Sequence, residues 1–102
     1  MTTNTFRRDV LKRRVAAGKV VLVDSYHYDD MSGSSQYKGP PMPVELRVSY
    51  DGAFKKEGVC YLHTHDFDSS SGGAYVVSKD EHGTVVRLRV HSNCNYTLLI
   101  KQ

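Results

Sequence analysis

Several residue types are scarce in this 102-residue chain, and each shortage narrows the classes of protein it can belong to. There is no tryptophan, there are two cysteines and three prolines, and no apolar run approaches the roughly 20 residues of a membrane helix. The first 18 residues are polar and arginine-rich, so we expect neither a secretory signal nor a membrane span. Cys60 and Cys94 are not in a CxxC spacing, so the sequence does not indicate a zinc knuckle. We expect a cytoplasmic protein in which both thiols are reduced.

What the chain does contain is enough apolar material for one modest core. Hydrophobic residues make up 39% of the sequence, including seven tyrosines and three phenylalanines. A chain of this length is too short for a doubly wound cofactor fold or a (β/α)8 barrel. We therefore predict a single domain over 1–102, with a basic helical segment at 1–18 and a β-rich body at 19–102.

The charge is unevenly distributed along the chain. Residues 1–19 hold six basic side chains against one acidic one, a net +5, whereas the remainder has a net charge of −2 within an overall +3. Such asymmetry is typical of polyanion-binding segments, but it is also compatible with a solvated face on a surface helix. Both interpretations stay open at this point.

One helix and about six strands are predicted from the periodicity. Residues 5–17 have helical spacing, with Asn4 or Thr5 as the cap and Gly18 ending the last turn. Further along, β-branched and aromatic residues and alternating polarity predict strands joined by long loops at 29–43 and 66–73. The predicted fold is α+β and mostly β, a short basic helix followed by an antiparallel meander. The predicted strands are 20–28, 44–50, 57–65, 74–78, 84–91 and 96–101.

A His-x-His pair is the sharpest local motif. His63 and His65 fall on one face of a predicted strand, where two neutral imidazoles are able to hold two corners of a zinc or another divalent ion. His91 or Asp66 would complete the shell of a metal-dependent hydrolase. Ordinary hydrogen-bonded histidines are the simpler interpretation, because a metal site needs converging ligands and not a pair alone.

A second candidate is a polar sheet face. Arg87 and Arg89 alternate with apolar residues in the strand 84–91. Tyr61 turns outward if Cys60 and Leu62 turn inward, and otherwise belongs to the core. If these strands were neighbours, one face would combine arginine, histidine and tyrosine; otherwise these are solvated side chains. Tyr37 in the first long loop is a further candidate contact for a protein partner. The candidate binding residues are Arg7, Arg8, Arg13, Arg14, Tyr37, Tyr61, Arg87 and Arg89.

The sequence favours a binding protein over an enzyme. It contains no phosphate-binding loop, no dinucleotide fingerprint and no nucleophile elbow. We expect no cofactor and a protein partner, with the chain acting as an adaptor or inhibitor of the kind that viruses encode. Two alternatives remain: a metal-dependent hydrolase built on His63 and His65, and a nucleic-acid-binding module that uses the basic N-terminal helix.

Overall fold

The computed structural model of the chain describes residues 5–29, 33–48, 54–64, 67, 73–90 and 94–102. Of these residues 66% lie in strands, and one short helix precedes the strands. This confirms the predicted class at the level of an α+β, mostly β chain.

The helix, α1, spans Arg8–Ala16 and is shorter than predicted. Arg7 holds the N-cap position without a side-chain cap, while Thr5 forms a β-bridge to Tyr75, so the predicted cap at Thr5 is wrong; Asn4 lies outside the described residues. The predicted end is confirmed. Gly18 has a φ of +73°, and its N–H and that of Lys19 donate to the carbonyls of the last turn, which is a Schellman ending.

Eight strands follow in the described residues. Their order across the sheet is β4-β5-β3-β1-β8-β7-β6, and β2 pairs with the far end of β1 beside this path. The strands are β1 (Val20–Asp29), β2 (Gly33–Tyr37), β3 (Met42–Arg47), β4 (Phe54–Lys56), β5 (Val59–His63), β6 (Gly73–Asp80), β7 (Gly83–Val90) and β8 (Cys94–Lys101).

The sheet is mixed, which corrects the predicted antiparallel meander. Strands β6, β7, β8 and β1 do pair antiparallel, but β3 and β5 are parallel. The reason is that the chain after β3 first forms β4 at the sheet edge and then turns back at Glu57 and Gly58, whose φ angles are both positive. This tight turn sends β5 in the direction of β3. The Asp51-Gly52 turn signal lies outside the described residues.

The predicted loop 29–43 is also corrected, because it contains β2 and the start of β3. β2 pairs antiparallel with the end of β1, from Ser25↔Tyr37 to Asp29↔Gly33. Its first four residues are exposed, so the strand is held by backbone pairing. It has no hydrophobic alternation from which a strand could be predicted. Of the predicted loop 66–73, the structure describes a buried Phe67 and Gly73, which begins β6.

One face of the sheet packs against α1 and forms the core. Leu11 and Val15 of the helix are buried against alternate residues of the strands. As predicted, Val86, Leu88 and Val90 turn inward on β7. The strands contribute Val20, Leu22, Val44, Cys60, Leu62, Ala74, Val86, Leu88, Val90, Cys94, Tyr96, Leu98 and Ile100 to this core, which Phe67 completes.

Cys60 and Cys94 are both buried in that core, on β5 and β8, and neither is in a disulfide. The two strands are separated in the sheet by β3 and β1. Within the described part of the chain, no helix combines the length and the apolar character that crossing a bilayer requires.

Candidate functional site

The predicted binding residues lie on two opposite sides of the sheet. The four N-terminal arginines lie in α1 or, for Arg7, at its N-cap, and α1 covers the core face of the sheet. Arg87 and Arg89 alternate with the buried residues of β7 and therefore point to the other face. The sequence candidates do not form one continuous basic surface.

Arg7, the first of the four N-terminal arginines, forms an ion pair with Asp9. The Arg7 guanidinium donates two hydrogen bonds to the Asp9 carboxylate, from Nε to Oδ1 at 3.1 Å and from Nη2 to Oδ2 at 2.7 Å. Desolvation raises the pKa of the Asp9 carboxyl, but the hydrogen bonds and charge of Arg7, with the backbone N–H of Val10, outweigh it and lower the pKa below its ordinary value. Part of the N-terminal positive charge is therefore compensated within the helix.

The other helix arginines differ in exposure. Arg8 is half-buried next to the packed side of α1, whereas Arg13 and Arg14 are exposed in its last turn. Cations at a helix C-terminus are stabilised by the helix dipole, as acidic residues such as Asp9 are in the first turn. The positions of Arg13 and Arg14 therefore stabilise the helix without any ligand.

The sheet face opposite α1, which no described element covers, carries a cluster of tyrosine, arginine and small polar side chains. Strand register aligns Tyr75, Arg87, Thr97 and Asp24 in one row across β6, β7, β8 and β1. The next row contains Gly73, Arg89, Asn95, Tyr26 and Gln36. Thr97 is buried in its row, so we define the Tyr/Arg face as Tyr26, Tyr28, Tyr75, Arg87, Arg89 and Asn95.

The tyrosines of this face are its most informative members. Tyr26, Tyr28 and Tyr75 expose 38%, 45% and 42% of their surface, which makes them three of the five large hydrophobic side chains that are exposed in the described residues. Arg89 is exposed and Arg87 half-buried between them. Tyrosine combines an apolar ring with a polar hydroxyl and is enriched at interfaces, so three exposed tyrosines on the face opposite α1 make it a candidate contact surface.

Tyr61 and His63 form a second, separate group on the same side of the sheet. Both are half-buried on β5, opposite Glu45 and Arg47 of β3, and the Arg47 guanidinium carbon lies 4.9 Å from the centre of the Tyr61 ring. This distance is typical of a cation–π contact. The sequence left two parities open for this strand, and the burial of Cys60 and Leu62 gives Tyr61 and His63 the outward one.

The two groups lie far apart, because β5 and β7 are not neighbours. β3, β1 and β8 separate them, and β3 meets β1 at Pro43↔Val21 and then runs on past the start of β1 to Arg47. The row of Arg87 meets β1 at Asp24, on the other side of that pairing. Along the strand direction the groups are about 20 Å apart. The single face combining arginine, histidine and tyrosine is therefore divided in two.

The predicted metal site falls mostly outside the described residues. His63 is described, but His65, Asp66 and His91 are not. Among the residues that the structure describes, no three His, Cys, Asp or Glu side chains converge as metal ligands would. Zinc or another divalent ion thus remains a sequence-based hypothesis.

Tyr37 ends β2 and does not extend from a loop. It is half-buried against the core, and its hydroxyl donates a hydrogen bond to the Pro40 carbonyl. Residues that sequence reasoning missed are Tyr26, Tyr28, Tyr75 and Asn95, although the two-residue spacing of Tyr26 and Tyr28 was visible in the sequence.

No protein-family model, curated protein or solved structure matches this chain.

Proposed function

We propose that the chain is a non-enzymatic binding protein that attaches to another protein through its Tyr/Arg face. The observation that supports this proposal is the exposure of three tyrosines around Arg87 and Arg89 on the sheet face opposite α1. Tyrosine and arginine are enriched in protein interfaces and among the few residues that supply most of their binding energy. An adaptor or inhibitor of a larger partner needs no more than such a surface.

The distribution of charge favours a protein partner over nucleic acid. A nucleic-acid module would use the helix arginines together with Arg87 and Arg89, but the two groups lie on opposite sides of the sheet. Non-specific affinity for nucleic acid comes from many phosphate contacts, whereas a protein interface can depend on a few well-placed side chains.

Affinity purification with matched variants tests the proposal. The tagged chain, an Arg87→Ala/Arg89→Ala variant and an Arg13→Ala/Arg14→Ala variant are expressed in host cells and recovered with and without nuclease treatment. Both variants lose two positive charges, but on opposite sides of the sheet. We expect a protein, identified by mass spectrometry, to be retained by the wild type and the helix variant. Recovery with the face variant should fall at least about tenfold, because interface arginines often contribute more than 1.4 kcal/mol.

Three outcomes would contradict the proposal. Equal loss of the partner in both variants would indicate a general charge effect, and loss in the helix variant alone would transfer the function to α1. Nuclease-sensitive recovery would instead favour the nucleic-acid module. The circular dichroism spectrum of each variant confirms that a lost partner does not reflect a lost fold.

A further inference from the structure

We infer that the partner presents an extended acidic segment to the Tyr/Arg face, with carboxylates two residues apart along the segment. This inference rests on the proposed function and specifies the chemistry of the partner. Three features support it: the charge around Arg87 and Arg89, their spacing, and the small area of the face.

The first feature is that neither arginine faces a carboxylate across the described strands. Arg87 lies between Tyr75 and Thr97, and Arg89 between Gly73 and Asn95. The carboxylate that shares a row with Arg87 belongs to Asp24, two strands away, which is about 10 Å between backbones.

The described cross-strand partners of the two arginines are thus aromatic, small or neutral and polar. Guanidinium groups make their strongest hydrogen bonds, often paired ones, with carboxylates and phosphates. A partner that brings carboxylates to this face would therefore complement it.

The second feature is the spacing of the two positive charges. Arg87 and Arg89 are two residues apart on β7 and point the same way, so their side chains leave the strand about 7 Å apart. An extended peptide has the same repeat on each of its own faces. A Glu-x-Glu segment lying along β7 can therefore place one carboxylate above each guanidinium.

The third feature is the size of the face. It spans the four strands β6, β7, β8 and β1 and two to three rows of side chains, which is about 14 Å in each direction. Among the described residues, this footprint matches the length of an extended segment of about four residues. Tyr75 of β6 and Tyr26 of β1 border it.

Nuclear magnetic resonance titration of the full-length, ¹⁵N-labelled chain tests the inference. The probe is the peptide acetyl-Thr-Glu-Thr-Glu-Thr-Glu-Thr-amide, and the control peptide has glutamine at each glutamate. We expect saturable shifts of the amides of β6, β7 and β8 with the acidic peptide alone. The Arg87→Gln/Arg89→Gln variant should bind at least about fivefold more weakly. The Arg13→Gln/Arg14→Gln variant should stay within about twofold of wild type, because the helix charges are distant and screened.

Several results would overturn the inference. They are shifts centred on α1, equal binding of the glutamine peptide, and no saturable shift with the acidic peptide. If the acidic peptide fails while a protein partner still depends on Arg87 and Arg89, only this inference falls and the proposed function stands. Tighter binding of a ten-nucleotide oligothymidylate that also needs these arginines would overturn both.

Discussion

Replacing Gly83 with alanine is expected to lower the free energy of unfolding by at least about 3 kcal/mol. Gly83 begins β7, is buried, and pairs with Lys101 of β8 at a φ of +148°, an angle that residues with a Cβ rarely adopt. A Cβ built there would lie 2.1 Å from the Ile100 carbonyl oxygen. Because that oxygen belongs to the backbone of the neighbouring strand, relief requires the β7–β8 ladder itself to move.

Urea denaturation of the Gly83→Ala variant measures the loss in the free energy of unfolding, with Gly73→Ala as the control. Gly73 also begins a strand, but a Cβ built there meets no atom of the described residues within 4 Å, and its φ is not in the left-handed region. We expect Gly73→Ala to change stability by less than about 0.5 kcal/mol. If Gly83→Ala lowered the free energy of unfolding by less than about 1 kcal/mol, the pairing of Gly83 with Lys101 would be contradicted.

The second large effect is expected at Leu98, in the middle of β8. Leu98 is fully buried and lies between Leu22 of β1 and Val86 of β7, which are also fully buried. Leu98→Ala should cost about 3 kcal/mol, because it removes buried methyl groups and leaves a cavity that its strand-held neighbours cannot fill.

Leu99→Ala is the matched control for Leu98→Ala. Leu99 is the next residue of the same strand, half-buried on the opposite face between Val21 and Val85. It should cost about 1 kcal/mol, since less apolar surface returns to water. Thermal or chemical denaturation that gave equal losses for the two variants would contradict the assignment of one core face and one uncovered face.

Local patterns predicted much of the secondary structure and the inner face of several strands. The alternation of Val86, Leu88 and Val90 with polar residues identified β7, and Gly18 identified the end of α1. β2 was missed because Gly-Ser-Ser-Gln-Tyr is exposed at four of its five positions and therefore has no hydrophobic periodicity. The parallel pairing of β3 and β5 was missed because strand order depends on contacts between residues distant in sequence.

The candidate site was less predictable, and a bulge explains part of the failure. Val20 and Leu22 point into the core, and unbroken alternation would also turn Tyr26 and Tyr28 inward. A register shift between Leu22 and Asp24 reverses the parity, so Ser25 is buried and the tyrosines are exposed. Composition singled out the arginines as candidates, but it could not show that the sheet lies between those of α1 and those of β7.

Photo-crosslinking tests the central claim, binding of a protein through the Tyr/Arg face, most directly. Benzoylphenylalanine replaces Tyr26, Tyr75 or, on the opposite side, Arg14, and each full-length variant is irradiated in host cells. We predict that positions 26 and 75 crosslink to the same protein and that position 14 does not. Crosslinks to that protein from position 14 alone, or crosslinks from positions 26 and 75 to nucleic acid, would contradict the claim.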